Sequence, residues 1–128
     1  MPPKPASRLS ETYLELRGDG SVADIALTPE FWPDLMSGKR QVDGRLIMSF
    51  ALAEDMGHWE MHPAGDEILL ALSGRMTVVL QGDPDESFAL KAGEAFVVPR
   101  GRWHRLNVIE PGEVVFMTPG EGTEHKPL

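Results

Sequence analysis

Short stretches of alternating or continuous apolar residues recur along the chain, and turns built on glycine and proline separate them. Along residues 45–54, RLIMSFALAE sets Leu46, Met48, Phe50 and Leu52 on one face and Ile47, Ser49, Ala51 and Ala53 on the other, the period of two that marks a strand. Asp55, Met56 and Gly57 interrupt that pattern as a bulge would. Residues 68–72 and 76–80 are apolar runs around Ser73 and Gly74 and predict a hairpin. Gly82, Asp83, Pro84 and Asp85 predict the next turn. Residues 88–90 and 95–98, joined through Lys91, Ala92 and Gly93, predict a second hairpin. Glu110, Pro111 and Gly112 then turn the chain into residues 114–117, and the closing TPGEGTEHKPL reads as a tail.

The amino-terminal part carries weaker signals. Residues 1–8 are proline-rich and basic without apolar periodicity, so a flexible tail is expected there, with a single domain over residues 9–128. Residues 10–16 alternate weakly, with Tyr13 against Leu14 and Leu16, as a short strand or turn ahead of the Gly18, Asp19, Gly20 bend. Thr28 and Pro29 resemble a helix start, Thr28 as the cap and Pro29 at the first helical position, and Gly38 would end it. Phe31, Trp32, Leu35 and Met36 make one side of that helix apolar, which predicts a single short helix packed outside the β-structure, with the Phe-Trp pair as its anchor.

Length and composition narrow the picture. A chain of 128 residues is one domain, and thirteen glycines and eleven prolines scattered along it favour many short strands. The formal charge of -8 argues against nucleic acid as a partner. No cysteine is present, so disulfides and thiolate metal sites are excluded and only nitrogen and oxygen ligands remain. No run of about eighteen apolar residues suggests a membrane span, and MPPKPASRLSE has no apolar core of a signal peptide. A cytoplasmic protein is expected.

The candidate chemistry lies in HWEMHPAGDEILLALSG, residues 58–74. His58, Glu60 and His62 share one face of a strand, and Pro63, Ala64, Gly65 and Asp66 turn the chain so that Glu67 opens an adjacent strand beside the same face. Imidazole nitrogen and carboxylate oxygen are what a divalent first-row metal takes from a protein.

These residues resemble a cupin. Its first motif, H-x-H, three or four residues, Glu, six residues, Gly, is matched by His62, Glu67 and Gly74, with Glu60 standing where the first His is usual. Its second motif, Gly, five residues, Pro, x, Gly, two residues, His, is matched by Gly93, Pro99, Gly101 and His104, while the trailing Asn107 is displaced by one from the place that Val108 occupies. The core motifs span residues 58–107. The resemblance implies an all-β fold, a double-stranded β-helix (jelly-roll, cupin) barrel with one short N-terminal helix, and the regular strand spacing agrees.

By the same resemblance the metal ligands become Glu60, His62, Glu67 and His104. Two carboxylates with two imidazoles form a hard, anionic set suited to divalent Fe, Mn, Ni or Zn. His58 is placed at the rim, hydrogen-bonding a ligand or replacing Glu60 as one, and nothing in the spacing of His125 ties it to the pocket. The alternative is a polar cluster with bound water and no metal. Arg100, Arg102 and Arg105 cluster around His104, and Arg75 follows Gly74; leaning over the pocket they would favour an anionic metabolite, although arginines at strand ends are more often solvated. Trp59, Met61 and Trp103 should point away from the pocket, where small cupins commonly pair, so a homodimer is expected. Two functions compete: a metal-dependent oxygenase or isomerase on a small metabolite, with Glu60 or His58 moving the proton, and a metal-free small-molecule binding or sensing module.

Overall fold

The computed structural model describes residues 2–128; Met1, the first residue of the expected tail, lies outside them. Residues 2–7 form no strand or helix, and Lys4 Nζ pairs with Asp24 at 3.3 Å. The weak alternation after Ser10 becomes β1 (Thr12–Leu16), which returns through the Gly18 to Gly20 bend as β2 (Val22–Ala26). Strand β2 was not foreseen, because in VADIA a single residue, Ile25, is buried. Helix α1 (Phe31–Met36) starts later than Thr28 and Pro29 suggest, with Glu30 at the N-cap and no side-chain cap. Phe31 N–H instead donates to the Thr28 carbonyl, so the Thr-Pro-Glu segment is a turn leading into the helix.

The alternating stretch becomes β3 (Arg45–Leu52), and the motif region supplies β4 (His58–Met61), β5 (Glu67–Ala71), β6 (Arg75–Leu80), β7 (Glu86–Lys91), β8 (Ala95–Val98) and β9 (His104–Glu110). Strands β10 (Gly112–Pro119) and β11 (Glu124–Pro127) complete the chain. Two antiparallel sheets result, in the orders β2-β1-β3-β10-β5-β8 and β11-β4-β9-β6-β7. They form the jelly-roll barrel that the motifs implied. Between them lie Leu69, Ala71, Met76, Val78, Leu106 and Val114, all nearly or wholly sealed from solvent.

Three expectations are corrected here. The runs around Gly74 form no hairpin: β5 pairs with β10 and β8, whereas β6 pairs with β7 and β9 in the opposite sheet. Strands β7 and β8 likewise part company, and the true hairpin is β6-β7 across the Gly82 to Asp85 turn. Apolar periodicity reports that a strand is half-buried, not which strand lies beside it. At Gly74 the backbone has φ +77°, and a Cβ there would meet the Glu110 and Pro111 carbonyl oxygens at 2.6 Å. Glycine is required because two sheet-to-sheet crossings touch at that point, and Glu113 N–H fastens them by donating to Ser73 Oγ at 2.9 Å.

The third correction concerns the tail. Residues after Pro119 turn back through Gly120, Glu121, Gly122 and Thr123 and form β11, which pairs with β4 along His58 to Met61. Helix α1 also does more than pad the outside. Phe31 is its buried anchor, edge-on to Tyr13 at 5.4 Å, while Trp32, Leu35 and Met36 face a cavity inside the barrel.

Candidate metal centre

The turn between β4 and β5 is held from several sides, and that fixes where the motif residues point. Gly101 N–H donates to the His62 carbonyl at 3.0 Å and Arg100 N–H to Asp66 Oδ1 at 2.8 Å. The Arg100 and Arg45 side chains donate to the Pro63 and Asp66 carbonyls. Glu67 is thereby aimed into the barrel as β5 begins. His104 opens β9 directly opposite Glu60 on β4, and β11 places His125 opposite the same Glu60 on its other side. Directly opposed residues on one sheet face bring their side chains within contact of each other.

His62, Glu67 and His104 are buried. Glu67 Oε2 stands 3.2 Å from His62 Nε2 and accepts the Thr118 hydroxyl at 2.5 Å, while Glu67 Oε1 stands 2.9 Å from His104 Nε2. The other nitrogens of the two rings are held from behind. His104 Nδ1 donates to the Arg102 carbonyl at 3.1 Å, and His62 Nδ1 lies 2.8 Å from Thr123 Oγ1. Such contacts fix ring orientation and leave Nε2 facing the cluster. Glu60 completes it, with Oε2 3.9 Å from His62 Nε2 and Oε1 3.1 Å from His58 and 3.3 Å from His125.

Charge explains how these groups coexist in a largely buried site. Burial pushes the Glu67 carboxyl up, but the His104 and His62 imidazoles beside it outweigh that and hold it down at about 2. Burial likewise pushes Glu60 up, and the His125 and His58 contacts bring it net below its ordinary value despite the repulsion of Glu67. For His104, burial lowers the value and the Glu67 carboxylate raises it further, so the net direction is up. His125 is raised chiefly by its contact with Glu60.

The geometry is that of ligands more than of a closed hydrogen-bond network. His62 Nε2 and Glu67 Oε1 are buried and lie near their neighbours, yet neither makes a well-directed hydrogen bond. A buried polar atom without a well-directed hydrogen bond costs roughly 1–3 kcal/mol, and an ion among them would offset that cost. The ligand atoms of Glu60, His62 and His104 all lie within 4.8 Å of one another. Two imidazoles and two carboxylates with no thiolate are a donor set for a first-row divalent ion. The residues present therefore fit a metal.

Glu60, His62, Glu67 and Thr118 sit at one end of a cavity of about 500 Å³ whose remaining wall is largely apolar, including Met48, Phe50, Leu52, Met56 and Phe116 under the helix side chains. No arginine or lysine lines it. The arginines that would have favoured an anionic metabolite by leaning over the pocket do not line it, in keeping with the solvated reading preferred for them. Arg102 turns to Gln81 and Glu86, Arg105 to Asn107 and the Trp59 ring, and Arg75 is exposed. The tryptophans expected as dimer anchors are covered by the chain's own cations, Trp59 by Arg105 at 4.9 Å and Trp103 by Lys126 at 4.2 Å.

All four motif residues meet as the sequence suggested, and His58 stands at the rim against Glu60. Sequence reasoning missed Thr118 and Thr123, which carry no motif, and set His125 aside. The E-H-K-P alternation of β11 was the available signal, but four residues are too few to distinguish a strand from a tail.

A jelly-roll with an inward cluster of imidazole and carboxylate at the end of an apolar cavity defines the cupin class of small barrels. The sequence agrees: residues 46–120 match the cupin domain family, and the chain belongs to it. Among solved structures it is similar to a cupin-2 domain protein from Shewanella frigidimarina, with a TM-score of 0.52 and 19% identity over 62% of this chain and 74% of that one. A Neisseria meningitidis protein gives 0.51 and 28% over 62% and 78%, and the hydroquinone 1,2-dioxygenase of a Sphingomonas species gives 0.51 and 20% over 62% and 61%. Two curated relatives, pyrimidine/purine nucleoside phosphorylases of Citrifermentans bemidjiense and a Geobacter species, are each 44% identical over 52 residues, which is 41% of this chain. The chain spans about half the length of these relatives. No helix among the described residues is long and apolar enough to cross a membrane.

Proposed function

We propose that the protein is a metal-dependent cupin enzyme acting on a small, mainly apolar molecule that enters the barrel with an oxygen-bearing end foremost. The observation that supports this reading most is that His62 Nε2 and Glu67 Oε1, buried at the polar end of the cavity, crowd their neighbours without a well-directed hydrogen bond. Glu60, His62, Glu67 and His104 would hold the ion. A bound divalent cation supplies a Lewis acid with open coordination positions.

The chain's own residues supply the rest. Thr118 and the Arg102 carbonyl orient Glu67 and His104, so the ligand set is organised before anything binds. Met48, Phe50, Leu52 and Phe116 accept apolar substrate surface and exclude water, and Trp32, Leu35 and Met36 close the cavity from the helix side. The His58–Glu60 pair, 3.1 Å apart at the rim, would carry the proton.

Elemental analysis of untagged protein tests this. Near-stoichiometric divalent metal is expected, with loss of it in both Glu67→Ala and His104→Ala. Metal-free protein of full stability would instead support a binding or sensing module. A second reading follows from the curated relatives, namely phosphorolysis of nucleosides. A cavity without arginine or lysine offers phosphate no ordinary partner. Free base released from uridine or inosine only when phosphate is present would establish that reading over the first.

A further inference from the structure

The chain has four histidines, and all four stand around Glu60. Two lie near it along the chain, His58 two positions before on the same strand and His62 two positions after, just past the strand's end. Two lie across from it on the flanking strands, His104 on β9 and His125 on β11. The carboxylate divides them. Oε2 faces His62 and the buried set, whereas Oε1 receives His58 Nε2 at 3.1 Å and His125 Nε2 at 3.3 Å.

Two sets of three ligand atoms result, Glu60 with His62 and His104, and Glu60 with His58 and His125, each lying within 4.8 Å of one another. The sets share only Glu60. In the outer set two ring nitrogens converge on one carboxylate oxygen, from rings 5.0 Å apart and inclined by 52°, so the three donor atoms lie close enough to share an ion.

We infer that Glu60 is a bridging carboxylate between two divalent-metal positions, an inner one held by His62, His104 and Glu67 and an outer one held by His58 and His125. The inference rests on the proposed function for its inner position. Glutamate at position 60 is then a functional replacement, since histidine offers one nitrogen toward a metal where a carboxylate offers two oxygens to two ions. Ions sharing such a bridge stand roughly 3.5–4 Å apart.

Burial separates the two positions. The side chains of His62 and Glu67 are 3% and 1% exposed, those of His125 and His58 27% and 43%. The outer position is the one that incoming ligand reaches first. Two divalent ions against two carboxylates leave a net charge near +2, which favours a bridging water, hydroxide or oxygen anion of the substrate. The same assignment turns His58 from a proton carrier into a ligand.

Mn(II) is the probe, counted by elemental analysis after gel filtration and read by electron paramagnetic resonance. The wild-type chain should retain two equivalents with a broadened, exchange-coupled spectrum. The His58→Gln, His125→Gln double variant should retain one, with the six-line spectrum of an isolated ion. Both positions are partly exposed, and a circular dichroism melt confirms that the variant folds. One equivalent in the wild type, unchanged in the double variant, overturns the bridge and leaves the proposed function standing. No bound metal in either overturns both. One equivalent lost in the double variant but kept in His104→Ala also overturns both, by placing the ion only at the rim.

Discussion

Glu60 has a histidine directly across from it on each side, and the two are built very differently. His104 on β9 is buried, its Nδ1 tied to the Arg102 carbonyl and its Nε2 set against Glu67. Its strand lies inside the sheet, paired with β4 on one side and β6 on the other. His125 on β11 belongs to an edge strand that pairs with β4 alone, and it is partly open to solvent. Cross-strand register places both rings, but only the first is locked by burial and a second hydrogen bond. The inner set is organised in advance, while the outer side can adjust to what binds.

That contrast is open to direct attack, beginning where the effect should be largest. Glu67→Gln removes the charge on which both buried imidazoles depend, and breaking a buried pair costs about 3–5 kcal/mol. Urea unfolding of chelator-treated protein at neutral pH should show a loss of that order. The same carboxylate predicts an acid limb. Its folded pKa, about 2, lies below the ordinary 4.5, so its contribution is present above pH 4.5 and lost as pH falls toward 2. The urea midpoint of the wild type should drop across that window, and Glu67→Gln should flatten the drop. A variant as stable as wild type, with the acid limb intact, would mean that Glu67 is not the anchor of the site.

Thr123→Val probes the turn that leads into β11. It removes the hydroxyl 2.8 Å from His62 Nδ1 without changing any residue of the proposed ligand set, and loss of such an orienting contact typically costs 10–100-fold in metal affinity. A competition titration with a chromogenic chelator reads that change, while the urea midpoint should move little. Unchanged affinity would show that the inner ring is oriented without help from the carboxyl-terminal segment.

The smallest effect is expected from Lys126→Ala, which uncovers Trp103 and removes the bond to Gln81 Oε1 at 2.7 Å. A partly exposed cation over an indole contributes about 0.5–1 kcal/mol. Tryptophan emission should shift to the red with only a small fall in the urea midpoint. A large loss of stability would make β11 a structural element equal to β9 and dissolve the contrast.

The sequence by itself determined the family, the barrel and the inward cluster of Glu60, His62, Glu67 and His104. Alternation fixed which side chains of residues 58–62 face inward, and the spacing to Glu67, Gly74 and His104 carried the motif. These are local facts, since the period of a strand and the spacing of a motif are written in neighbouring residues. Tertiary structure alone decided which strands pair, that Gly74 is a crossing between sheets and no hairpin, and that residues 124–127 return beside β4. It also decided that His125, sixty-five positions from Glu60, comes within 3.3 Å of it. Pairing partners of that kind are chosen by the closure of the whole barrel, which no short window of sequence contains.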